Sequence, residues 1–147
     1  IAIRTTLISG FPGETQELHD GLVDFVDECE FDRLGVFTYS PEEGTPAAGY
    51  EDQVDGELAA KWRDEIMELQ QEISYEKNQE LIGSIQRVLI EGYLVEDDVY
   101  VGRTYRDAPG VDGIVFVSAP CELMSGSFVD VKITEANEYD LTGVIVE

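Results

Sequence analysis

The chain has 147 residues, 43% of them hydrophobic and 28% charged, which suffices for one ordinary core or two small ones and does not read as disordered. Nine bases stand against 32 acids, a formal charge of −23. That balance argues against direct binding to phosphate backbones, which needs Lys and Arg to release counterions. Two explanations stand side by side: complementarity to a basic partner, and adaptation to high salt, where screening removes the cost of self-repulsion.

No apolar run reaches the roughly 18 residues that a membrane-spanning helix requires, so no membrane association is expected. The start, Ile1 to Ile8, already reads as a strand and lacks an initiator Met. It predicts a piece of a longer chain that begins inside a folded element, with no signal peptide.

Residues 3–9 are a short β-branched, apolar run, hence a buried strand. Gly10-Phe-Pro-Gly-Glu-Thr15 is turn chemistry, with Thr15 as N-cap of a helix and Glu17 suiting its dipole. Leu18, Leu22, Phe25, Val26 and Cys29 are spaced as one helical face. Leu34–Tyr39 is a second strand. Strand–helix–strand units build parallel sheets with ligands at the carboxyl ends of the strands. Residues 40–54 read as a surface loop, in which Glu42 and Glu43 are solvated charges. Asp55 caps a second helix of about 25 residues, whose stripe Leu58, Trp62, Ile66, Leu69, Ile73 is expected to pack against the first half.

The character changes near Gly83. Five short β-rich runs follow, at 85–90, 99–105, 113–117, 128–134 and 141–146, and predict a small barrel. The expected fold class is therefore α+β in two parts: strands and helices over 1–79, then a five-stranded OB-like barrel over 80–147. Residues 1–79 carry five bases and 19 acids, and residues 80–147 carry four and 13. The barrel itself is thus acidic, whereas an RNA-binding barrel usually shows a basic stripe with aromatics.

Cys29 and Cys121 are the only cysteines. In a cytosolic chain they read as reduced, buried small hydrophobes, and two lone thiols cannot hold an iron–sulfur cluster. Zinc spacing is absent, so no metal ligands are expected. His19, the sole histidine, is expected at the surface. The Leu7–Thr15 turn is neither a P-loop nor a dinucleotide fingerprint. Phe37 and Tyr39 lie at a strand end, where they line a pocket or pack in the core. No set for nucleophilic catalysis is present, so no catalytic residues are expected.

Gly102-Arg-Thr-Tyr-Arg-Asp-Ala-Pro-Gly-Val-Asp-Gly113 concentrates two cations, an aromatic and turn residues. Period two puts Arg103 and Tyr105 on one strand face and Arg106 on the other. Ala108–Val111 suits a type II turn, and Asp112-Gly113 a second tight turn. Arginine here either recognises a carboxylate on a ligand or bridges neighbouring acids of the barrel.

Arg4–Thr15, Phe31–Ala47 and Leu69–Ser74 resemble the radical S-adenosylmethionine methylthiotransferases. Gly102–Gly113 and Glu135–Leu141 resemble the branch that modifies an aspartate of a ribosomal small-subunit protein. The resemblance implies that the first part holds the last strands of a partial (β/α) radical-enzyme barrel, and the second a TRAM barrel presenting the substrate. It implies S-adenosylmethionine and two 4Fe–4S clusters in the intact enzyme, a transferase of the cytoplasm. Both sets of cluster cysteines are absent here, so this stretch alone would be inactive and hold no cofactor. It implies cofactor contacts at Ile8, Gly10, Phe37 and Tyr39, with Arg4 toward the cofactor carboxylate. It implies substrate contacts at Arg103, Tyr105, Arg106 and Asp107. The partner would be a basic ribosomal protein steered by the acidic barrel, without direct nucleic-acid binding, and the protein a monomer. A tRNA methylthiotransferase and a non-enzymatic TRAM binding module are the alternatives.

Overall fold

A computed structural model describes all residues 1–147 and divides into two compact units, Ile1–Ile73 and Ser74–Glu147. No helix is long and apolar enough to cross a membrane.

In the first unit, β1 (Arg4–Ser9) and β2 (Arg33–Thr38) pair in parallel, with Ile8 beside Phe37 and Arg4 beside Arg33. Helix α1 (Gln16–Cys29) connects them, and the Thr15 hydroxyl accepts from the Leu18 amide at 3.3 Å as N-cap. Helix α2 (Gly56–Glu80) starts where Asp55 accepts from the Leu58 amide. A 3-10 turn at Pro46–Gly49 interrupts the loop before it.

Alternation decides what each strand face does. Leu34 and Val36 face the helices and share a core with Val26 of α1 and Ile66 and Ile73 of α2. Arg4, Thr6, Ile8 and Phe37 occupy the other face and are exposed.

The buried face of α1 differs from the expected one. Leu18 and Phe25 are exposed, while His19 and Val26 are buried, with Leu22 and Val23 half-buried. The face is therefore the 19-22-23-26 set, rotated by about one residue. His19, expected at the surface, is 0% exposed. Its ring stacks on Trp62 at 5.1 Å, and Nε2 lies 2.6 Å from Glu65 Oε2. A planar ring matched to an indole, with one nitrogen on a carboxylate, is a burial that composition does not reveal. The cysteines also depart from expectation. Cys29 ends α1 and Cys121 lies in a loop, and both are exposed because neither position faces a core.

The second unit is a closed barrel in the order β3-β4-β5-β7-β6, made of β3 (Ile85–Leu94), β4 (Val99–Arg103), β5 (Val115–Ser118), β6 (Phe128–Ala136) and β7 (Leu141–Ile145). Val88, Ile90, Val115, Val117, Val131, Ile133 and Leu141 fill it, as alternation in β6 predicts. The β5–β7 pair is parallel, with Val115 opposite Leu141. All other pairings are antiparallel. The last turn of α2 is tied to this unit: Asn78 Nδ2 donates to the Asn137 carbonyl at 2.9 Å, and Gln79 Nε2 to that of Ala136 at 2.7 Å.

Gly10 has φ +82, and a Cβ there would lie 2.3 Å from the Cβ of Ala59. Gly13 has φ +89 but open space around it. Gly10→Ala is expected to cost about 1–3 kcal/mol, from backbone strain and overpacking together, and Gly13→Ala less. Urea unfolding followed by the fluorescence of Trp62, the single tryptophan, measures both; equal losses would contradict the contact.

At the far end of the barrel the Tyr93 hydroxyl donates to Asp98 across the β3–β4 hairpin. That hydrogen bond, then desolvation and the repulsion of a phenolate by the carboxylate, raise the Tyr93 pKa above its usual value near 10. The contact is fully present below the ordinary tyrosine value and is lost as pH rises through the raised one. Asp98 has φ +52, a conformation asparagine tolerates. Asp98→Asn is expected to bring Tyr93 back toward the ordinary range in a tyrosinate absorbance titration, and an unmoved midpoint would contradict the assignment.

Candidate functional site

Two sites, one in each unit, contain the residues singled out in the sequence. In the first unit, β1 and β2 end side by side under the loops that follow them. Gly10 takes the left-handed backbone that turns β1 aside, and its amide donates to Glu14 Oε1 at 2.8 Å. The Gly13 amide donates to the Asp52 carbonyl at 2.8 Å, which ties the two loops together. Phe11 stands edge-on to Tyr39 at 5.3 Å and to Tyr50 at 6.4 Å.

Ile8 and Phe37, register neighbours, form an apolar shelf and are 54% and 64% exposed. The reading of Phe37 as core packing is therefore excluded. Ser9 Oγ and Tyr39 Oη are buried without a hydrogen-bond partner, a costly arrangement for hydroxyls unless something accepts or donates there. Arg4 lies on the same face as Ile8 but four strand residues away, roughly 13 Å. The structure thus gathers Ile8, Gly10, Phe37 and Tyr39 at one end and leaves Arg4 at the other. Phe11 joins the cluster, while Ser9, one residue after Ile8, lies on the helix-covered face. The place of Phe11 in the turn after the carboxyl end of β1 was the signal available in the sequence.

In the second unit, β4 ends at Arg103, so Tyr105 is not on a strand face with it. The Thr104 hydroxyl stops the strand: it donates to Asp107 Oδ2 at 3.2 Å and accepts from the Arg106 amide at 3.3 Å. The Asp107 amide returns to the Thr104 carbonyl at 3.2 Å. Thr and Asp side chains commonly divert the backbone this way. Ala108–Val111 closes as a turn, with the Val111 amide on the Ala108 carbonyl at 3.3 Å and Gly110 at φ +70, as a type II turn requires. Asp112 Oδ2 clamps that turn through the Ala108 amide at 2.6 Å.

No second turn needs Gly113. A Cβ there would lie 1.8 Å from the Tyr139 carbonyl oxygen, so the glycine serves a backbone crossing. Arg103 pairs with one barrel acid and one backbone oxygen, with Nε on Glu91 Oε1 at 2.8 Å and Nη1 donating to the Asp107 carbonyl at 3.3 Å. Arg106 lies over the Tyr105 ring at 4.9 Å and donates to Gln86 Oε1 at 3.3 Å. Asp107 is buried. Of the four expected contact residues, Tyr105 projects fully, at 71% exposed, and Arg106 partly.

No group of three or more His, Cys, Asp or Glu is placed to hold a metal ion, and the two cysteines belong to different units. These residues supply no ligand set for an iron–sulfur cluster. The shelf, with the orphaned Tyr39 hydroxyl at its end, in contrast suits a flat ring with a polar edge.

The TRAM-domain family profile matches residues 82–146. The chain is 54% identical to a protein named ribosomal protein uS12 methylthiotransferase RimO from Lachnoclostridium phytofermentans, over 97% of this chain and 32% of that protein. The proteins of the same name from Desulfitobacterium hafniense and Clostridioides difficile are 52% and 49% identical, over 100% and 98% of this chain and 33% and 32% of theirs. The chain therefore spans about a third of the length of the curated relatives it matches. Matched from end to end at about half identity and folded into a strand–helix unit and a TRAM barrel, the chain belongs to the RimO family of methylthiotransferases.

Proposed function

We propose that the chain is part of an enzyme that replaces a hydrogen on the β-carbon of an aspartate in ribosomal protein uS12 by a methylthio group. The observation that carries this reading is the end-to-end similarity to proteins bearing that name. S-adenosylmethionine, when bound, would supply the radical that removes the hydrogen and, from a second molecule, the methyl group, while one reduced 4Fe–4S cluster of the intact enzyme would give the electron for that cleavage and the other would support delivery of the sulfur. The Ile8–Phe37 shelf would support its adenine, the Tyr39 hydroxyl would meet a polar group of the ligand, and Gly10 would let the backbone approach closely. Arg4, at the far strand end, suits a carboxylate reaching down that face. The clusters depend on cysteines that this chain does not supply, so the chain by itself would be inactive. Arg103, Tyr105, Arg106 and Asp107 belong to the substrate side.

The barrel carries 13 acids and four bases over residues 80–147, which favours a basic protein in the cytoplasm over RNA. One observation favours the second reading, a tRNA substrate. Arg87 lies over the exposed Phe128 ring at 5.1 Å, and Lys132 stands on the same outer wall of β3 and β6. Aromatic rings flanked by cations are what single-stranded nucleic acid uses.

Mass spectrometry of uS12 after incubation with S-adenosylmethionine and a reductant separates the readings. The intact protein containing this chain is expected to add one methylthio group to an aspartate, and the 147-residue chain none. Modification of tRNA with unmodified uS12 would sink the first reading.

A further inference from the structure

Between the two helices of the first unit lies a polar cluster that the proposed chemistry does not use. His19, one turn into α1, and Trp62 of α2 are both buried, and their rings stack at 5.1 Å with 13° between the planes. His19 Nε2 lies 2.6 Å from Oε2 of Glu65, one turn after Trp62, while Nδ1 is buried without a partner. A proton on Nδ1 would be an orphaned buried donor, so the ring donates from Nε2 to the carboxylate. Packing alone does not explain this arrangement. A phenylalanine would fill the stack without leaving a buried nitrogen unsatisfied. What the imidazole adds is direction: one nitrogen aimed at one carboxylate fixes the rotation of α1 against α2.

Two further contacts carry that orientation to the end of β1. Trp62 Nε1 donates to Gln16 Oε1 at 3.1 Å, which holds the first residue of α1. Gly10 rests on Ala59, one turn before Trp62, where an added Cβ would meet that of Ala59 at 2.3 Å. The turn between Gly10 and Gln16 is therefore gripped at both ends by the first two turns of α2. That turn carries Phe11, which stands edge-on to Tyr39 at 5.3 Å, and the Tyr39 hydroxyl is buried without a partner. We propose that His19, held by Glu65, is a positioning residue that fixes the Gly10–Gln16 turn and, through Phe11, the place of Tyr39. Neither His19 nor Glu65 touches a ligand. The inference rests on the cofactor reading above only for its last step, the ligand that Tyr39 meets. The histidine is then retained for orientation and not for stability.

Amide hydrogen exchange of the 147-residue chain, followed by NMR, reads the turn directly, because the Gly13 amide donates to the Asp52 carbonyl and the Glu14 amide to that of Phe11. His19→Phe is expected to leave the urea midpoint unchanged or raised, yet to speed exchange at Gly13 and Glu14 about tenfold. Glu65→Ala is expected to speed the same amides, and Glu65→Gln, whose side-chain oxygen still accepts from Nε2, to stay near wild type. The Glu65 side chain is 43% exposed, so neither of its variants threatens the fold. In the intact protein containing this chain, His19→Phe is expected to raise the KM for S-adenosylmethionine severalfold and to lower kcat less. Wild-type exchange at the turn in both His19→Phe and Glu65→Ala would overturn the proposal. So would a faster turn matched by a fallen urea midpoint, the mark of a merely stabilising contact. A faster turn with an unchanged KM would overturn the link to Tyr39. An intact protein that works without S-adenosylmethionine would remove the cofactor reading, and the exchange rates would still decide whether His19 positions the turn.

Discussion

The crossing of Gly113 over the Tyr139 carbonyl is the contact on which the second unit turns. A parallel pair between β5 and β7 is the step that closes this barrel, and parallel strands cannot be joined by a tight hairpin. Closure therefore depends on two loops entering from the same end without colliding. Gly113 removes the side chain that would collide, and Asp140 and Ile114 then lock the crossing by hydrogen bonds. A barrel closed in this way leaves no open edge, and it brings together two loops that the sequence keeps about 25 residues apart.

The first unit follows a different logic. Its two strands have one face covered by α1 and α2 and another that stays exposed. The covered face is apolar and ordinary. The exposed face ends in a shelf, a left-handed glycine and the buried, unpartnered Tyr39 hydroxyl, which are expensive features to retain without a ligand. Aromatic contacts from Phe11 hold Tyr39 and Tyr50 beside that strand end. That strand end is where the proposed function would place the cofactor.

Most of the scaffold was legible in the sequence because periodicity reports burial directly. The β-rich run at 128–134 marked β6, and Thr15 and Asp55 marked both helix starts. Two of the failures depend on partners distant in sequence, and one on a local side-chain contact. His19 is polar, and only Trp62 and Glu65, from a helix more than 40 residues later, make its burial tolerable. Period two puts Tyr105 on a strand face, but the Thr104–Asp107 side-chain contact stops the strand at Arg103. Gly113 looked like a turn residue, since a backbone crossing leaves no local pattern. Net charge hid the wall where Arg87 covers Phe128, because a sum carries no geometry.

The proposed function holds that the acidic barrel receives a basic protein and not a nucleic acid. Hydrogen–deuterium exchange of the chain, with and without uS12, addresses it most directly. The account predicts added protection confined to residues 104–114 and 137–141, with β3 and β6 unchanged. Protection on the outer wall around Arg87 and Phe128, with the two loops unaffected, would contradict it.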